Sequence, residues 1–106
     1  VSLFATRNIT VDFTQPQASE PSLPADNAAV ANPVDLSWNQ VSDAFNDSLF
    51  IATDSLFVNV IQKKLTDKSN YSFTGSSGNS YFWRLKTSDQ AGNWSSYSQT
   101  FKFKVK

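Results

Sequence analysis

Asp89 and Asn93 share the loop SDQAGN, and Trp94 and Tyr97 follow directly after it. Two kinds of chemistry could use these residues. The Asp89 carboxylate and the Asn93 amide oxygen are hard donors of the type calcium takes, although calcium asks for roughly six to eight of them. The rings of Trp94 and Tyr97 could form a stacking platform for a sugar or a partner, with Phe82 as a further contact on the preceding segment. The plainer reading of Tyr81 to Ser98 is a core strand and the turn that ends it. Arg84 and Lys86 then form a solvated cationic outer face, and Trp94 caps the end of a core. In that reading Gly92 supplies a positive φ, while Asp89 and Asn93 bond nearby backbone amides.

Catalytic chemistry finds little material. The chain has no histidine and no cysteine. A serine triad lacks its usual base, thiol catalysis lacks its nucleophile, and histidine- or thiolate-ligated zinc is excluded. A carboxylate pair remains conceivable with eight aspartates. None of them sits in an apolar, glycine-bounded context, and the one glutamate, Glu20, lies in a proline-containing stretch. No enzyme activity, cofactor or metal is expected.

The elements that must position these residues follow from composition and period. The 106 residues suit one domain, and 15 aromatics supply a core without disulfides. The absence of cysteine leaves the redox compartment open. Nine basic and nine acidic side chains give no net charge. A phosphate-tracking protein carries a basic excess, so nucleic acid is not an expected partner. No apolar run approaches the ~20 residues that span a bilayer. The first residue is Val rather than Met, so a mature chain or an excerpt of a longer one is expected. Sixteen Ser, eight Thr and nine Asn against a single Glu favour strands and turns over helices.

Alternation places the strands. Ile9, Val11 and Phe13 alternate with polar residues, as do Val34, Leu36 and Trp38. Ser48 to Ser55 reads as a strand buried on both faces. Phe57 to Leu65 is ambiguous, because Phe57, Val60, Ile61 and Leu65 could share a helix face; its β-branched residues favour a strand. Tyr71 to Thr74 is a short strand, followed by the loop Gly75 to Ser80. Tyr81, Trp83, Leu85 and Thr87 alternate with Phe82, Arg84 and Lys86. Phe101, Phe103 and Val105 alternate with Lys102, Lys104 and Lys106. The plain reading of these lysines is charge that keeps an exposed strand from mispairing.

With these residues in place, YFWRLKTSDQAGNWS resembles the penultimate strand and following loop of prokaryotic fibronectin type III-like surface modules. The strand DLSWNQVSDA, with Trp38 at the position of the family's buried tryptophan, the segment IATDSLF and the closing TFKFKV agree in order and spacing. The resemblance implies an all-β, seven-stranded Ig/fibronectin type III-like antiparallel sandwich over residues 22–106. It also implies a non-catalytic role on the cell surface, as a spacer, an adhesion or glycan-binding module, or a builder of surface layers. It carries over no specific ligand. One departure is a long segment between Ser55 and Tyr71.

Residues 1–15 form an extra N-terminal strand that repeats the closing pattern, with Ile9, Val11 and Phe13 in line with Phe101, Phe103 and Val105. Residues 16–21 read as a linker. The extra strand is the tail of a preceding repeat, a donor strand that enters a neighbouring subunit's sheet, or an added edge on its own sheet. The first two make an extended extracellular structure whose partners are copies or repeats of itself. Asn8, Asn46, Asn70 and Asn93 begin Asn-x-Ser/Thr sequons, about twice the number that chance placement gives. They suit a glycosylated surface protein.

Overall fold

The computed structural model describes residues 15–106, so the strand expected at the N-terminus, with Asn8, Ile9, Val11 and Phe13, lies outside the described residues. The described chain is all-β. Its strands are β1 (Glu20–Leu23), β2 (Ala28–Val30), β3 (Val34–Asn39), β4 (Asn46–Ala52), β5 (Val60–Thr66), β6 (Asn70–Phe73), β7 (Ser80–Ser88) and β8 (Phe101–Val105). They form two sheets, ordered β1-β3-β6 and β2-β8-β7-β4-β5.

The expected sandwich is present, with one strand more than seven. The surplus arises where the chain changes sheets. β1 pairs antiparallel with β3, whereas β2 pairs parallel with β8. Between them lie Pro24, which has no N–H for a ladder, and a turn in which Asn27 takes a φ of 68°. Of the 16–21 segment read as linker, Glu20 and Pro21 lie in β1, and Pro16, Ser19 and Pro21 are buried.

Period-two alternation becomes burial as expected. Val34, Leu36 and Trp38 of β3 face inward, against Leu49 and Ile51 of β4 and Tyr81, Trp83 and Leu85 of β7. Phe103 and Val105 of β8 complete the core, and Phe101 packs at its margin. The rings meet at angles: Trp38 and Trp83 lie 6.3 Å apart with planes tilted 59°. Each fully buried side chain of this size contributes about 1.5–3 kcal/mol.

The ambiguous segment is a strand, but a shorter one than 57–65. β5 starts at Val60, and its residues are nearly all exposed, without alternation. It is the outermost strand of the wider sheet, beyond β4. Phe57 instead sits in the loop before it, at a φ of 57°. Asp54 organises that loop, accepting the backbone N–H groups of Val58 at 3.1 Å and Asn59 at 2.9 Å.

Gly75, in the loop between β6 and β7, marks a close approach to the core. A Cβ there would lie 2.6 Å from the Tyr81 ring and 3.0 Å from Phe73. Its backbone is held on both sides by Asn32, which accepts from the N–H at 3.1 Å and donates to the carbonyl at 2.7 Å. Gly75→Ala is therefore expected to cost about 1–3 kcal/mol through overpacking, read as a lower urea midpoint with unchanged m-value.

Candidate aromatic groove on the wider sheet

The outer face of the five-stranded sheet carries the site. Register puts Phe50 of β4 between Lys63 of β5 and Arg84 of β7, and Ser48 between Leu65 and Lys86. Beyond β7 the ladder with β8 covers only Ser80 to Trp83. The rest of that edge is filled by the segment after the Asp89 loop. Ser95 N–H donates to the Thr87 carbonyl at 2.7 Å, and Ser98 N–H to the Leu85 carbonyl at 2.8 Å. In return the Ser95 and Ser98 hydroxyl oxygens accept the N–H groups of Thr87 and Leu85, each at 2.9 Å. Two serines thus stand in for the carbonyls of a missing strand. Their neighbours Trp94 and Tyr97 are left over the outer face.

There the side chains form a ladder of rings and cations. The Arg84 guanidinium lies 4.0 Å from the centroid of Phe57 and 3.6 Å from that of Tyr97. Lys86 sits 4.7 Å above Tyr97, and Lys63 5.5 Å above Phe50. Phe50 and Tyr97 meet edge to face at 5.5 Å. The Arg84 Nε is buried without a hydrogen-bond partner among the described residues. Stacking by its planar head, rather than hydrogen bonding, therefore holds this side chain. Arg84 is half-buried rather than a freely solvated cation, because two rings distant in sequence close over it.

A groove of about 420 Å³ remains beside the ladder, lined by Ser48, Phe50, Lys63, Leu65, Lys86, Trp94 and Tyr97. Trp94 does not cap the core. It is 41% exposed and has no ring or cation partner among the described residues. Its main chain bridges Ser88, which lies on the outer side of β7 and so swings the indole over the sheet. Phe82 shares the face but not the groove; it lies under Lys102, whose Nζ is 5.7 Å from the ring. Sequence reasoning found Trp94 and Tyr97 and missed Phe50, Lys63 and Leu65. Only the pairing of β4 with β5 and β7 brings them to this face.

Asp89 and Asn93 come together but face each other. Asp89 Oδ1 accepts the Asn93 backbone N–H at 2.9 Å, and its Oδ2 accepts the Asn93 side-chain amide at 3.1 Å. Gly92 takes a φ of 92° in this turn. Among the described residues no group of three or more His, Cys, Asp or Glu could hold a metal ion. Of the sequons, Asn70 is exposed at the start of β6, Asn46 is half-buried in β4, and the Asn93 amide is engaged with Asp89.

Both loop carboxylates are held below the usual 3.8: Asp89 chiefly by the Asn93 backbone N–H, Asp54 chiefly by that of Asn59. A depressed carboxylate stabilises the folded loop above its unfolded value, and that contribution is lost as pH falls through the folded one. The amide resonances of Asn59 and Asn93 are expected to titrate with midpoints below 3.8. Midpoints at or above it would contradict the assignment.

A second feature joins the two sheets from inside. Asp47 is fully buried beneath the core. Its Oδ2 accepts from Trp38 Nε1 at 3.0 Å and from Gln40 Nε2 at 3.1 Å, and its Oδ1 from the Thr87 hydroxyl at 2.7 Å. Thr87 Oγ1 in turn accepts the Ser19 N–H at 2.8 Å.

The comparisons agree with this architecture. An Fn3-like protein from Clostridium thermocellum superposes with a TM-score of 0.65 at 19% identity, over 88% of this chain and 96% of that one. The fibronectin(III)-like modules of CbhA from the same organism give 0.58 at 16% identity, over 83% and 95%. A β-1,2-glucanase from Parabacteroides distasonis gives 0.57 at 20% identity, over 87% of this chain but only 14% of the glucanase. No protein-family model and no curated protein sequence matches. The chain has the fibronectin type III-like fold of prokaryotic modules.

Proposed function

We propose that the chain is a non-catalytic structural module of an extracellular prokaryotic surface protein or filament, joined head to tail to like modules. One observation carries this reading: the chain enters and leaves at opposite ends of β8. On the way in, Gln15 bonds Ser96 at 3.2 Å and Glu20 accepts from the Gln99 N–H at 3.3 Å, just before β8 begins. On the way out, Lys106 N–H donates to the Val30 carbonyl at 2.8 Å and its own carbonyl accepts from Ser77 at 2.8 Å, just after β8 ends. At ~3.4 Å per residue the two ends are separated by roughly 20–25 Å along the strand. Copies linked through such ends form a line.

The link is tandem repetition or strand exchange. In the second case Ile9, Val11 and Phe13 would add to the neighbour's outer edge at β5. That edge runs seven residues from Val60 to Thr66, with Val60, Ile61 and Leu65 exposed. Sedimentation distinguishes the two. Strand exchange predicts that the chain polymerises and that deletion of residues 1–13 leaves monomers. Tandem repetition predicts monomers in both cases. Hydrolysis of a glycan by the chain would overturn the non-catalytic reading.

A second reading, an accessory carbohydrate-binding or adhesion module, is favoured by the unpartnered indole of Trp94 beside an open groove. Trp94→Ala is expected to abolish any sugar binding while leaving the fold intact by circular dichroism.

A further inference from the structure

We propose that the groove floored by Ser48 binds acidic polysaccharide, a chain of carboxylated sugars, with Trp94 as the stacking platform and Lys63 and Lys86 as the carboxylate partners. This rests on the carbohydrate-binding reading and names its ligand class.

Charge distribution is the first observation. The whole chain has no net charge. Yet the strands give the outer face of the wider sheet Lys63, Arg84, Lys86, Lys102 and Lys104, and no Asp or Glu. Of the acids, Asp47 lies in the core, Asp35 on the other sheet and Asp54 and Asp89 in loops, while Asp26 accepts the Lys102 N–H at 2.8 Å beside β8. A ligand running over these strands meets four lysines, an arginine and no strand carboxylate, which draws in anions and disfavours cations.

Shape is the second. Leu65, Ser48 and Lys86 stand side by side across β5, β4 and β7. The short Ser48 side chain between two long ones makes the trough, and its volume of about 420 Å³ falls within the ~300–1,000 Å³ of ligand clefts. Trp94 borders one end with a ring no neighbour uses, which suits the apolar C–H face of a pyranose.

Division of labour among the cations is the third. Arg84 is clamped between Phe57 and Tyr97 and serves the ladder. Lys63 and Lys86 rest over single rings, at 5.5 and 4.7 Å. Each has a flexible stem and a compact ammonium, so either can leave its ring for a carboxylate without unpacking the sheet. Stacking from Trp94 with an ammonium from either wall is the arrangement a uronic acid unit needs.

The test is titration of the isotopically labelled chain with a tetramer of galacturonic acid, and in parallel with a neutral tetramer of glucose and with oligo-dT. The expected result is saturable shifts of the Trp94 indole N–H and of residues 48, 63 and 86 with the uronate alone, weakened by salt. Trp94→Ala and the double variant Lys63→Gln/Lys86→Gln should each lower uronate affinity at least about tenfold, a stacking or ion-pair contribution. Both should keep the parent's melting temperature to within a few degrees, so that lost binding is not lost fold. No shift with any sugar overturns the carbohydrate reading itself. Equal binding of the neutral tetramer, or a double variant that binds as the parent does, overturns the acidic ligand while leaving that reading standing. Tighter binding of oligo-dT assigns the groove to nucleic acid and overturns the proposal.

Discussion

Asp47→Ala is expected to lower stability by about 3 kcal/mol, because it removes the shared acceptor of two buried donors and of the exposed Gln40 amide. Trp38 Nε1, Gln40 Nε2 and the Thr87 hydroxyl all end on this carboxyl group. Thr87 can turn elsewhere, but the Trp38 indole is fixed by the core around it and keeps an unmet N–H. The loss also uncouples the sheets, since Trp38 belongs to the narrower one and Asp47 and Thr87 to the wider. For a domain of this length such a loss corresponds to a fall in Tm of roughly 10–20 °C. Asp47→Asn keeps the shape and one acceptor but turns an NH₂ toward a donor or the Thr87 oxygen; about 1–2 kcal/mol is expected. Calorimetry on the three proteins should rank them parent, Asn, Ala. An alanine variant within 0.5 kcal/mol of the parent, about the size of a neutral surface change, would show that water replaces the carboxyl group and that the cluster is no clamp.

Arg84→Ala is the second large effect, expected near 2 kcal/mol. Two stacked rings contribute about 0.5–2 kcal/mol each as cation–π contacts, and the arginine stem also covers the sheet. Arg84→Lys separates charge from shape. An ammonium keeps the charge but cannot lie flat between Phe57 and Tyr97, so less than half of the loss should be recovered. Full recovery by lysine would mean that charge alone matters on this face. The variant also bears on the groove: without Arg84, Tyr97 keeps only Phe50 and Lys86 as partners beside the Ser95 and Ser98 bonds that tie its segment to β7.

The fold was legible where one strand's own pattern decides burial. Val34, Leu36 and Trp38 alternate because one side of β3 faces the core, and Tyr81 to Thr87 repeat that pattern on β7. Legibility ends where a residue's environment comes from distant chain. Asp47 reads as a surface residue until Trp38 and Thr87, the latter 40 positions away, are brought to it. Phe57 looked like the first residue of a strand, but Asp54 turns the loop and lays the ring on Arg84. β5 has no alternation to read because both of its faces are largely exposed. The sheet change between β1 and β2 was signalled only by Pro24. At the candidate site the aromatic pair was visible and its setting was not. Trp94 and Tyr97 are adjacent in sequence to the Asp89 loop, whereas Phe50, Lys63 and Leu65 reach them only through strand pairing.

The most direct measurement is electron microscopy of the native material. If the modules are joined head to tail as proposed, the images should show beads in line with a constant axial repeat of one sandwich length. Modules clustered side by side, or folded back with both connections at one end, would contradict the account.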